Sequence, residues 1–167
     1  VADSFARLER QIDAMRQGRI VGISPNTWGS TMELREICRQ GFSPFYVHLK
    51  EYDRHVLGGR TASRKVAVYN DCLDGETEKK LVLTWTLLVG KTVLSEGKTA
   101  LAIPAGTFSE TEVTLVVPPA TVRQEGVLEL RIRHQDKTVF ERKDPFSISP
   151  AVQEFASAKQ LAVHDPA

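Results

Sequence analysis

The chain has 167 residues, room for one domain and part of a second, and 41% of them are apolar, enough to bury a real core. Lysine and arginine number 22 against 21 acidic residues, a net charge of +1. That balance argues against nucleic acid or an anionic membrane surface as the main partner, because both call for clustered basic residues. No run of about 18 apolar residues occurs, so no membrane-spanning helix is expected. The polar start Val1-Ala2-Asp3-Ser4 does not read as a signal peptide. The missing initiator Met suggests a processed chain or a piece of a longer one. Cys38 and Cys72 are too few for a structural zinc site, and two free thiols are expected rather than a disulfide.

Asp3 to Gln17 reads as a helix, with Phe5, Leu8, Ile12 and Met15 forming one apolar stripe. Asp3 or Ser4 can cap its start, and Gly18 can end it in a left-handed conformation. Ile20-Val21-Gly22-Ile23 is a short apolar run, as in a strand covered on both faces. A loop, Pro25 to Gly29, follows. Ser30 and Glu33 make a capping box for a helix carrying Leu34, Ile37 and Cys38 and stopping at Gly41. One helix–strand–helix unit cannot close a sheet, and its stripe needs partners that the rest of the sequence does not obviously supply.

From Pro44 the period changes to two. Phe45 to Leu49 alternates imperfectly; residues 53–63, with Gly58-Gly59, read as loop. Val66 to Tyr69 leads into the turn residues Asn70-Asp71 and Asp74-Gly75. Leu81, Leu83, Trp85 and Leu87 fall at every second position, the clearest strand in the chain, with Trp85 as its anchor. Further strands are expected at 92–94, 99–103, 113–117, 128–133, 137–140 and 146–148, divided by turns that include Val89-Gly90-Lys91, Pro104-Ala105-Gly106, Pro118-Pro119 and Asp144-Pro145. Seven or eight short strands at this spacing predict a mainly β chain, an immunoglobulin-like antiparallel β-sandwich behind an N-terminal helix–strand–helix segment. The expected division is 1–43 for that segment, 44–149 for the sandwich and 150–167 for a tail or linker.

Candidate chemistry is sparse. Glu51 with Asp53, and Asp71 with Asp74 and Glu76, are near neighbours in sequence, and carboxyl groups about 5–10 Å apart can hydrolyse glycosides. All five sit in turn-rich stretches where solvation is the simpler expectation. His48, His55, His134 and His164 have no i, i+4 partner and no cysteine neighbour, so no metal or cofactor site is expected. Ser24 lacks a nucleophile-elbow context, and the loop Val56-Leu57-Gly58-Gly59-Arg60 matches no phosphate-cradling motif. No residue is assigned a catalytic role. Trp28, in a polar loop with Asn26 two residues before it, is either a plug in a core or interface or an exposed ring for a sugar face.

The order Val66-Ala67-Val68-Tyr69-Asn70-Asp71, Leu81-Val82-Leu83-Thr84-Trp85, Ile103-Pro104-Ala105-Gly106, Val117-Pro118-Pro119 and Leu128-Glu129-Leu130 resembles the immunoglobulin-like accessory domains of glycoside hydrolase family 2-type, β-galactosidase-like enzymes. The resemblance covers about residues 44–149. Helix 3–17, strand 20–23, loop 24–29 and helix 31–40 are similar to the last helix–strand–helix of the (β/α)8 barrel that can precede such a domain. It implies that Trp28, with Asn26 beside it, corresponds to a Trp often found after the last barrel strand at the sugar site. It also implies an upstream catalytic barrel of the same polypeptide as partner, carbohydrate as a further candidate partner, and a parent enzyme that is often exported. The family's catalytic glutamates come from earlier barrel strands and match no position here. The expectation is a non-catalytic accessory domain supporting the barrel. The alternatives are a carbohydrate-binding module using Tyr46, Tyr52, Tyr69 or Phe108 as its platform, and a protein-interaction or adhesion sandwich.

Overall fold

The computed structural model describes residues 2–20 and 31–151. Two helices, α1 (Ala2–Gln17) and α2 (Met32–Gly41), precede eight strands: β1 (Phe45–Leu49), β2 (His55–Leu57), β3 (Thr61–Asn70), β4 (Glu78–Val89), β5 (Thr92–Pro104), β6 (Thr107–Val116), β7 (Gln124–His134) and β8 (Lys137–Ser149). They form two sheets, one of three strands in the order β1-β3-β6 and one of five in the order β2-β8-β7-β4-β5. Every pairing is antiparallel except β2 with β8. Strands one, three and six face four, seven and eight in a mainly β sandwich, as the turn-punctuated alternation predicts.

β4 stands inside the five-stranded sheet, between β5 and β7. Its alternate residues Leu81, Leu83 and Leu87 are fully buried and Trp85 nearly so. Trp85 pairs across the sheet with Gly97 on β5 and Leu130 on β7. A Cβ at Gly97 would lie 2.5 Å from Trp85 Cε2, so the indole lies flat over a position that only glycine fits. Trp85 Nε1 donates to the Thr114 carbonyl at 3.1 Å, and Ser95 Oγ accepts from the Val116 amide at 3.0 Å. Both bonds run from the five-stranded sheet to β6, the end strand of the other sheet.

The period-two pattern fails on β1 and on the second half of β3, where consecutive residues are all buried. Directly paired residues of an antiparallel ladder share a face. Val47 with Val68 and Leu49 with Val66 occupy one side, Tyr46 with Tyr69 and His48 with Ala67 the other. The first set belongs to the sandwich core, and the second lies under α1.

Several local expectations are corrected. The left-handed residue after α1 is Arg19 (φ 55°), not Gly18. The Ile20 amide donates to the Met15 carbonyl (2.9 Å) and the Arg19 amide to that of Arg16 (3.1 Å). This double bond pattern sets the left-handed turn one residue beyond Gly18. The cap of α2 is Thr31, whose hydroxyl accepts from the Leu34 amide at 3.2 Å, in place of the Ser30–Glu33 box. Residues 53–63 hold β2 and the start of β3. The pieces 92–94 and 99–103 are one strand, as are 137–140 and 146–148. Pro145 is accommodated where β8 has a neighbour on one side only, since β2 joins at Ser147. The expected strand at 20–23 lies, apart from Ile20, outside the described residues, as does the tail beyond Ala151.

Candidate functional site, a helix locked onto the sandwich

A buried polar assembly joins α1 to the sandwich. Ile12 belongs to the main core, and Leu8 and Ile37 pack against it. A Cβ at Gly41 would sit 2.7 Å from Ile12 Cδ1, so the end of α2 closes tightly on α1. The apolar stripe of α1 thus finds its partners within this chain.

Beside Ile12, Asp13 is almost wholly buried. Arg142 of β8 donates to both of its oxygens, Nη1 to Oδ1 at 2.7 Å and Nη2 to Oδ2 at 2.9 Å. The Tyr46 hydroxyl donates to Oδ1 at 2.6 Å and accepts from Arg142 Nη1 at 2.9 Å. Arg142 Nε lies 3.2 Å from Asp144, which Arg54 also approaches at 3.3 Å. Two guanidinium groups therefore face two carboxylates. Burial opposes the Arg142 charge, but the Asp144 and Asp13 carboxylates outweigh it and hold the guanidinium protonated more firmly than usual. Burial pushes the Tyr46 phenol up, out of its ordinary range. It also raises Glu9, one turn before Asp13.

A second bridge lies one turn later on α1. Arg16 donates to the carbonyls of Gly41 (2.8 Å) and Ser43 (2.9 Å) and to Asp71 (2.5 Å). Its guanidinium lies 4.5 Å from the Tyr46 ring centroid and 5.4 Å from that of Tyr69, a stacked cation–π arrangement. Tyr69 stacks on Phe108 at 5.1 Å, and Tyr46 meets Phe140 at 5.1 Å. His48 is wholly buried, with Nδ1 2.9 Å from the Leu49 carbonyl and Nε2 3.3 Å from the Tyr69 hydroxyl. Burial lowers its pKa, so the ring is neutral around pH 7.

This cluster holds an acid, a phenol and an imidazole, yet Asp13, Tyr46 and His48 are shut from solvent. A general acid or base has to reach the proton it moves. Bidentate pairing and a closed face suit clamping better than proton transfer.

The five suspected carboxylates are dispersed into local roles. Glu51 accepts from the Lys65 amide, and Asp53 from the His55 amide and from Arg64. Asp71 holds Arg16, and Asp74 and Glu76 both hold Lys79. Nothing pairs two of them across a cleft. His55 is exposed, His134 lies against Phe45, and His164 is outside the described residues. Cys38 and Cys72 are free thiols. Asn26 and Trp28, together with Ser24, fall outside the described residues. The aromatic platform is corrected: Tyr46 and Tyr69 are buried beneath α1, while Tyr52 is 56% exposed.

A cleft of about 700 Å³ opens beside the C-terminus of α1, between that helix, the α2–β1 link, the end of β3 and the β5–β6 turn. Ile12, Met15, Ile20, Phe42, Leu73 and Phe108 make its apolar walls, with Arg16 and Arg19 as the cations among its described lining residues.

Asp13 and Arg142 carry no motif. The signal that does exist is positional. Phe140, Arg142, Asp144, Phe146 and Ile148 share the inward parity of β8, and two charges on that parity require buried partners.

No family model matches the chain, and no curated protein matches it. Among solved structures, the chain is similar to a β-glucuronidase from glycoside hydrolase family 2 (16% identity over 60% of this chain and 11% of that one, TM-score 0.43). It is similar to a family 2 glycosyl hydrolase from Bacteroides cellulosilyticus (15% identity, 64% of this chain and 14% of that one, TM-score 0.43). A superoxide reductase (neelaredoxin) variant from Ignicoccus hospitalis gives 11% identity over 76% of this chain and 94% of that one, with a TM-score of 0.46. The chain therefore spans about a seventh or less of the two hydrolases. At these identities and TM-scores none of them assigns an activity.

Proposed function

We propose that this chain is a non-catalytic accessory part of a carbohydrate-active glycoside hydrolase, a sandwich that buttresses the catalytic barrel of the same polypeptide. The sequence resemblance carries this reading, and the Asp13–Arg142–Tyr46 lock makes α1 part of the sandwich's own packing. The lock holds α1 at a fixed angle to the two sheets. The sequence resemblance to family 2-type accessory domains over residues 44–149 supports the same assignment, and Trp28 with Asn26 would then border the barrel's sugar site. A sugar-binding module is disfavoured, since two of its four candidate rings are covered by α1.

Assays of the purified chain with a panel of aryl glycosides test this reading. No turnover is expected, whereas turnover that survives removal of contaminating glycosidases would refute it. Calorimetry with oligosaccharides should give no heat, and saturable binding would move the assignment to a binding module. A reading frame that continues upstream of Val1 into a barrel is the expected gene context. One that starts near Val1 contradicts the proposal.

A further inference from the structure

We propose that the cleft beside α1 binds a small amphipathic monoacid, its apolar body lying against Ile12, Met15, Leu73 and Phe108 and its carboxylate on Arg19. At about 700 Å³ the cleft has the size of small-molecule sites, which bury an apolar ligand body and orient it with a few polar groups. The two cations are not equivalent. Arg16 spends its donors on Gly41, Ser43 and Asp71. Arg19 makes no ion pair among the described residues, and its guanidinium lies 5.6 Å from the Phe108 centroid at the cleft wall. A guanidinium stacked on a ring keeps its N–H edge free, the geometry that receives a carboxylate with two parallel bonds.

The backbone supplies a second observation. Arg19 occupies the left-handed position that favours glycine, although a glycine stands next to it at position 18. An arginine there is disfavoured in the helix end itself, and what it gains is a cation set over an apolar cleft. The cleft also carries Ser43, Asp71 and Thr107, but Asp71 is held by Arg16, which leaves Arg19 as the cation open to an anion. This inference is independent of the accessory-domain reading.

The probes are decanoate and its neutral counterpart decanol, titrated calorimetrically below micellar concentrations. Decanoate should bind saturably and at least about tenfold more tightly than decanol, the difference expected for one charge-assisted contact. Arg19→Gln should weaken decanoate about tenfold and leave decanol unchanged. Arg19→Gly should raise Tm by relieving the left-handed strain while losing the same affinity, so failure to fold cannot be confused with failure to bind. The amides of Gly106 and Thr107 should shift on titration. Equal affinities for acid and alcohol, full decanoate affinity in either variant, or no saturable binding would each overturn the proposal.

Discussion

Replacing Asp13 by alanine probes the weld between helix and sandwich most directly. Asp13 is 1% exposed and accepts three short hydrogen bonds, two from Arg142 and one from Tyr46. Removing one partner of a buried ion pair strands the other charge and typically costs about 3–5 kcal/mol. Arg142 keeps Asp144 at 3.2 Å, which places Asp13→Ala at the lower end, about 3 kcal/mol. For a chain of this size that corresponds to a fall in Tm of roughly 6–12 °C. Arg142→Ala should cost a similar amount. The double variant should cost less than the sum by at least about 1 kcal/mol, because both deletions abolish the same contact. Urea denaturation followed by circular dichroism measures all three. If Asp13→Ala stays within about 0.5 kcal/mol of the parent, or if the two changes are additive, α1 is not held by this pair and the welded-helix reasoning fails.

Two other perturbations bear on the core. Gly97→Ala should destabilise by about 1–3 kcal/mol through overpacking against the Trp85 indole, read as a lower thermal midpoint. A midpoint unchanged within error would mean that the ring does not cover that position. His48 is neutral in the folded state because burial lowers its pKa from 6.5. Its unfolded form therefore binds more protons once the pH drops below about 6.5, so stability falls there and recovers above it, with a slope of at most about 1.4 kcal/mol per pH unit. Urea midpoints between pH 7.5 and 5 should show this slope, and His48→Phe should flatten it. A slope that persists in the variant would assign the effect to other groups.

Much of the sandwich was legible in the sequence. Leu81, Leu83, Trp85 and Leu87 alternate because β4 has one face in the core, and the burial follows that period. The reading faltered where burial stops being one-sided. Phe45 to Leu49 looked imperfect because α1 covers the second face of β1, which no period-two rule anticipates. Asp144-Pro145 looked like a turn because proline lacks an amide hydrogen, but β8 has only one neighbour there. Gly18 looked like the helix stop because glycine favours left-handed angles, yet the hydrogen-bond pattern assigns that role to Arg19. The lock was hidden for another reason. Asp13 and Arg142 are 129 residues apart, and long-range charge pairing leaves no local spacing. Trp28 and Asn26, the residues singled out for sugar contact, lie outside the described residues.

The two side-chain bonds from the five-stranded sheet to β6 have a consequence for assembly. An end strand presents unpaired amides and carbonyls that another chain can extend, the usual route to fibrils and open-ended stacking. On β6 the Thr114 carbonyl is taken by the Trp85 indole and the Val116 amide by the Ser95 hydroxyl. The same tryptophan that fills the core therefore also occupies one of the edge groups a neighbouring strand would need. Replacing Trp85 would free the Thr114 carbonyl for an incoming strand.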